Sequence, residues 1–348
     1  MSEPVLVLPP VAKILPWHAA AVEQLRAAWR AQHFPHGLLM SGPDGLGKGQ
    51  LAAWLAGAVL CENSRDTLDV CDRCPSCSLL RAGSHPDLHW VGLEEDKYQI
   101  SIEQIRAATE QLAKTSYRHG YKVAVIESAH LMTVNAANSL LKTLEEPTAR
   151  TLIVLITSHP SALLPTVRSR CQKLAIATPA PKDAIAWLEG ETGKAVDRGI
   201  LEFAGGAPLG ALAWSDRFEA LDREMQSSLA ALVSGSDDVT QVAQRWAKDA
   251  LGDRLTWLDL WLSSVARASV AQNADLFTFP AARAHLPRPP QTLNISGIYG
   301  LVDRVRTLKD QLTRTALQRE LAVESWLVAL LDIMAPMPHQ RERTEPSR

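Results

Sequence analysis

Residues 41–50 read SGPDGLGKGQ, with Gly42, four residues, Gly47 and then Lys48. No other stretch narrows the possible folds as far. A loop of this kind leaves a buried strand, turns on glycines, and opens a helix whose first N–H groups and lysine attract an anion. The flanks agree: Gly37–Ser41 is a short apolar run, and a helical pattern follows from about Gly47 to Leu60. The rest of the first half repeats this alternation. Asp87–Val91, Lys122–Glu127, Thr151–Thr157 and the weaker Gln172–Ile176 read as strands buried on both faces of a parallel sheet. Helical patterns lie between them. One covers 18–33, another starts at a capping box of Ser101 and Gln104, and a third puts Val134, Ala137, Leu141 and Leu144 on one face before Pro147 ends it. These features predict a three-layer α/β, P-loop-type domain.

The phosphate loop lacks its usual companions. A working loop places Ser or Thr after the lysine to ligate Mg²⁺; here Gly49 stands there. The next requirement is an apolar strand ending in Asp-Glu, one to hold the metal and one to polarise water. This chain offers VAVIESAH, with Glu127 in the first place and Ser128 in the second. Glu127 is able to bind a metal, but a serine is no base at neutral pH. Gly42, Gly45, Gly47 and Lys48 are therefore expected to form a degenerate cradle that holds nucleotide weakly or not at all; a simple anion remains the alternative.

Beyond about residue 178 the strands stop. TPAPKDAIAWLEGETG opens a small helical unit, expected over 178–214, that includes a Gly-Gly-Ala-Pro turn at 205–208. An all-helical segment is expected over 215–335. It has a proline-rich loop near 280–290, a long periodic helix from about Ile298 to Met334, and a polar, disordered tail over 336–348. Tryptophans such as Trp187 and Trp326 read as packing residues. A net charge of −2 across 348 residues carries no basic footprint for nucleic acid or membrane. The longest uncharged apolar run, Leu51–Cys61, is shorter than the ~20 residues a membrane span needs. The first residues lack the layout of a secretory signal, so a cytoplasmic protein is expected.

Four of the five cysteines cluster as Cys61, Cys71, Cys74 and Cys77. The two C-x2-C steps suit a tetrahedral, structural Zn²⁺, because four thiolates leave no open coordination position. The segment 61–80 interrupts the chain after the P-loop helix and is expected to protrude from the α/β core. His85 follows in a predicted turn and is not counted as a ligand.

Three stretches together resemble bacterial clamp-loader subunits of the AAA+ class. They are NSLLKTLEEP at 138–147, TVRSRC at 166–171, and the four-cysteine insert behind a P-loop. The resemblance covers about residues 10–215, and within that family it is closest to the loader subunit whose own nucleotide site is degenerate. It implies an AAA+ core, a small helical lid and a helical collar that joins subunits in a ring. It further implies that Arg170 of Ser-Arg-Cys is an arginine finger acting in trans on a neighbour's ATP. Thr157 would match the sensor 1 position, although it is equally read as a strand-end threonine. Leu209 falls where a lid arginine is expected. The implied partners are the tau/gamma and delta subunits and, through the assembly, the sliding clamp and primed DNA; polymerase chemistry belongs to other subunits. Two other readings stay open: an active ATPase subunit of the tau/gamma kind, and a zinc-containing DNA-binding module.

Overall fold

The computed structural model describes residues 14–64, 67–95, 97–271, 295–314 and 318–334. The expected proline-rich loop and C-terminal tail lie outside them. By contacts the chain divides into two units. One holds residues 1–184 together with Ala207–Gly210, and the other holds Ile185–Gly206 and Ala211 onward.

The first unit is built on five strands: β1 Gly37–Ser41, β2 Leu88–Val91, β3 Lys122–Ile126, β4 Thr151–Thr157 and β5 Gln172–Ala175. They lie in the order β2-β3-β4-β1-β5, and every pairing is parallel. The three middle strands are β1, β3 and β4, and the last two are buried along their whole length. This is why their sequences are continuous apolar runs rather than alternating ones. Helices α1 (Ala19–Arg30) and α2 (Lys48–Leu60) cover one face, and α4 (Ile102–Ala113), α5 (Val134–Glu145) and the short α6 (Pro165–Arg168) cover the other. Ser101 caps α4 as expected: its hydroxyl accepts from the Gln104 N–H at 3.3 Å, and Gln104 Oε1 accepts from the Ser101 N–H at 2.9 Å.

Two expectations about this unit need correction. The buried face of α5 is Ala136, Ala137, Leu140 and Leu144, while Val134 is 62% exposed. The Thr133 side chain accepts from the Ala136 N–H, and this cap sets the first turn so that Val134 faces outward. The cysteine segment does not protrude. Leu68 and Leu80 sit in the same apolar cluster as the sheet, and Val70 packs so closely on α2 that a Cβ on Gly57 would lie 3.3 Å from its Cγ2. Its short helix α3, Pro75–Arg81, therefore lies against α2, which explains why α2 is apolar on nearly every face.

The second unit is helical: α8 (Arg198–Phe203), α10 (Phe218–Ser234), α11 (Val239–Lys248), α12 (Leu251–Ala271), α13 (Ile295–Arg314) and α14 (Arg319–Met334). Helix α7 (Pro181–Thr192) and helix α9 (Pro208–Trp214) each contribute residues to it. Helix α12 packs along α13, and α11 along α14. The single long helix expected over 298–334 is two. Trp326 Nε1 donates to the Leu301 carbonyl at 3.2 Å, so α14 lies beside α13 rather than continuing it. The apolar period runs through both, and period alone cannot place a turn. Trp246, Trp257 and Trp261 are fully buried, and Trp326 is 2% exposed, consistent with packing roles. No described helix is long and apolar enough to cross a membrane.

Candidate nucleotide site, arginine and metal centre

The parallel register assembles one site from three strand ends. Ser41 lies opposite Thr157, and the Gly42 N–H donates to the Thr157 carbonyl at 3.3 Å. Glu127 follows directly after β3. The phosphate loop, Glu127 and Thr157 thus meet at the carboxyl ends of the strands, where open parallel sheets bind ligands. They line a cleft of about 730 Å³ together with Leu209.

Within the loop, Gly45 and Gly47 have φ of +77° and +74°, a conformation that favours glycine. Side chains are also excluded by space. A Cβ on Gly45 would stand 2.7 Å from the Gly210 nitrogen, and one on Gly47 would stand 2.7 Å from Leu15 Cδ1. The Leu209 N–H donates to the Gly45 carbonyl at 3.1 Å, so Ala207–Gly210 lies directly on the loop. Trp17 Nε1 and His18 Nε2 both reach the Leu46 carbonyl, at 2.9 and 2.7 Å. Lys48 is only 6% exposed, and its ammonium is turned back onto the Pro43 carbonyl at 2.7 Å. Aliphatic and aromatic neighbours that the sequence pattern did not reveal brace the loop, whose residues still line the cleft.

Glu127 and Thr157, the other residues expected at this site, both have partners within the protein. Trp90 Nε1 donates to Glu127 Oε2 at 3.1 Å. Ser128 has φ +52°, a left-handed turn residue beyond the strand. Thr157 is buried, and its hydroxyl contacts His130 Nδ1 at 3.1 Å and accepts the His159 N–H at 3.0 Å. The two imidazoles pack at 4.9 Å, and burial, followed by the His159 charge, holds His130 below its ordinary pKa. No pattern in the sequence signalled this histidine pair.

Arg170 lies elsewhere. It precedes β5, and a Cβ on Gly37, at the opposite end of β1 from the phosphate loop, would be 3.3 Å from the Arg170 carbonyl. Its guanidinium donates to the Thr166 carbonyl at 2.9 Å and pairs with Glu145 at the end of α5. Cys171 beside it is buried, which pushes its thiol up to about 11.

The four clustered cysteines converge, with all their sulfurs within 4.8 Å of one another and no disulfide formed. Cys71 and Cys77 sulfurs are 3.9 Å apart, close to the ~3.8 Å edge of a tetrahedron with metal–sulfur bonds of about 2.3 Å. Cys74 caps α3, its sulfur accepting the Cys77 N–H at 3.4 Å. The Arg73 N–H is the main reason the Cys71 thiol falls to about 6, whereas burial raises Cys61. The donor set fits a tetrahedral metal ion such as zinc. His85 is not part of this group.

Comparisons with known proteins match both parts of the chain to one family. A family model described as DNA polymerase III, delta subunit, matches residues 17–180, and one described as its C-terminal part matches residues 217–332. DNA polymerase III subunit delta′ of Escherichia coli (strain K12) is 30% identical over 334 residues, 93% of this chain and 98% of that relative. The Pseudomonas aeruginosa subunit delta′ is 39% identical over 203 residues, covering 57% of this chain and 60% of that protein. The Bacillus subtilis subunit delta′ is 42% identical over 147 residues, 42% and 44% of the two chains.

Proposed function

Because the chain belongs to the delta-prime family of DNA polymerase III clamp-loader subunits, we propose that it acts there without hydrolysing ATP, lending Arg170 to a neighbouring subunit's nucleotide. The observation that carries this reading is the separation of Arg170 from the chain's own phosphate loop. The two lie at opposite ends of β1, whose five residues span about 16 Å at ~3.3 Å each. This separation supports the reading that Arg170 serves another chain rather than its own cleft. A guanidinium at a transferring phosphoryl group stabilises developing charge and contributes about 10³–10⁵ in rate. Glu145 and the Thr166 carbonyl hold the side chain until a triphosphate takes their place.

The chain's own cleft supports the other half of the reading. Gly49 supplies no metal ligand, Ser128 no base, and Lys48 is engaged by Pro43. Nucleotide binding is weak or absent, and Glu127 and Thr157 persist as structural remnants of the site. The AAA+ core then serves as a rigid body that positions Arg170, with residues 178–214 as lid and 215–335 as collar. The partners are the tau/gamma and delta subunits, with the sliding clamp and primed DNA met through the assembly in the cytoplasm. Zn²⁺ held by Cys61, Cys71, Cys74 and Cys77 would be structural, cross-linking the segment that packs on α2.

The test is ATP turnover by a reconstituted loader with clamp and primed DNA, comparing wild type with Arg170→Ala, and the isolated chain in parallel. The expected result is no turnover alone and a severalfold or greater loss in the complex. An unaffected complex would return Arg170 to a structural role. Robust turnover by the isolated chain would make it an ATPase in its own right.

A further inference from the structure

The four-thiolate centre is unevenly shielded. Cys77 is fully buried, and Cys74 and Cys61 are 4% and 6% exposed. Cys71 is half-buried, on a turn whose next two residues, Asp72 and Arg73, are exposed. A reagent arriving from solvent therefore meets the set at Cys71. The other three sulfurs all lie within 4.8 Å of that one, with Cys77 at 3.9 Å.

The centre is also tied to the fold around it. Leu68 and Leu80 belong to the apolar cluster of the sheet, and Val70 packs on Gly57 of α2, the helix that begins at Lys48. Glu62, next to Cys61, accepts the Ser76 N–H and hydroxyl at 3.2 and 3.0 Å. Whatever loosens the four sulfurs loosens this packing.

Sulfurs that hold a metal ion are thiolates, and the thiolate is the form that attacks a peroxide. Cysteine oxidation follows thiolate character and exposure, and it is reversible when a second thiolate stands by to close a disulfide. Cys71 has the exposure, and its three neighbours supply the second thiolate.

We propose that this centre is a peroxide-responsive release site entered at Cys71. The Cys71 thiolate attacks one oxygen of hydrogen peroxide; an S–O bond forms, the O–O bond breaks and hydroxide leaves. A neighbouring thiolate, Cys77 among them, then attacks the Cys71 sulfur; an S–S bond forms, the S–O bond breaks and a second hydroxide leaves. Two thiolates are oxidised to one disulfide, and one peroxide is reduced to two hydroxide ions. With two of four donors consumed the metal ion is freed, and the segment's hold on α2 slackens. Asn63 moderates the first step: its side-chain N–H donates to the Cys71 sulfur at 3.3 Å and draws charge from it. Asn63 is exposed and is not one of the four donors. The proposal does not depend on the role of Arg170.

The test treats the full-length, zinc-loaded chain with hydrogen peroxide. Zinc release is followed with a chromogenic chelator, disulfides by mass spectrometry of unreduced peptides, and stability by melting curves. One zinc should leave per chain, the first disulfide should contain Cys71, and the melting temperature should fall. Dithiothreitol with added zinc should restore both metal content and melting temperature. Asn63→Ala, which leaves every sulfur in place, should hold a full equivalent of zinc and release it faster by about threefold or more. A first disulfide without Cys71, such as Cys74–Cys77, overturns the proposal. So does zinc retained under peroxide that oxidises glutathione in the same sample, or release that thiol and zinc do not reverse. An unchanged rate in a zinc-loaded Asn63→Ala chain removes Cys71 as the point of entry.

Discussion

Glu127 Oε1 stands 3.5 Å from the position that a Cβ on Gly49 would occupy. The carboxylate expected to help hold a metal therefore faces the one residue that lacks the hydroxyl to share it. The contact is of ordinary length, so Gly49→Ser should be tolerated. Glycine in a helix costs about 0.5 kcal/mol more than serine, so stability should hold or rise slightly. ATP turnover by the isolated chain should stay at background, since Ser128 still supplies no base. Melting curves and a turnover assay check both, and turnover gained from this single change would show that the rest of the site is competent.

Gly37 ties the start of β1 to Arg170. A Cβ there would meet Leu144 Cδ2 at 3.0 Å, the Arg170 carbonyl at 3.3 Å and Cys171 Sγ at 3.5 Å. Leu144 can yield, but the backbone carbonyl cannot do so without moving Arg170. Gly37→Ala should cost on the order of 1 kcal/mol and lower turnover of the assembled loader. Wild-type turnover in a folded Gly37→Ala loader would mean that the arginine's placement is not critical.

The metal centre should matter to folding. Cys77 is fully buried, and its neighbours Leu68 and Leu80 join the main core. Cys77→Ser, or chelation, should release the ion and destabilise the first unit by on the order of 3 kcal/mol. Metal content by atomic emission, together with a melting curve, reads both. One retained equivalent of zinc with an unchanged melting point would count against the four-thiolate site.

His18 gives the fold a pH dependence. Its Nδ1 accepts the Leu15 N–H at 3.4 Å and its Nε2 donates to the Leu46 carbonyl, so a protonated ring would set one N–H against another. Burial holds its pKa below the ordinary 6.5. The unfolded chain then binds the proton more readily, and stability is lost as pH falls below about 6.5 toward the folded value. The melting temperature should drop between pH 7.5 and 5.5, and the drop should be smaller in His18→Gln. It should not vanish, because His85, His89 and His130 are lowered in the same direction. An identical drop in the variant would clear His18 of any part in it.

Much of this molecule is set by short stretches of chain. The strands at 37–41 and 151–157, the Ser101 cap and the grouping of four cysteines were all legible. Each depends on residues a few positions apart: an apolar run, a side chain reaching the next turn, two thiolates across one bend. The face of α5 was misread for a related reason, since one capping hydroxyl rotates a helix without changing its period. Period also continues unbroken through α13 and α14, so it was silent about where the chain turns back.

What tertiary structure decided is what distant segments do to one another. Lys48 is legible as part of a phosphate-loop pattern, but its burial beside a loop that Leu15 and Leu209 pack on depends on chain that arrives from both directions. Arg170 is legible as part of a motif, but its distance from the cleft follows from β5 pairing in parallel with β1. Local chemistry is written in neighbouring residues because bond geometry brings them together. Which end of a sheet an arginine occupies, and what covers a lysine, is settled only when strands far apart in sequence pair and exclude water between them.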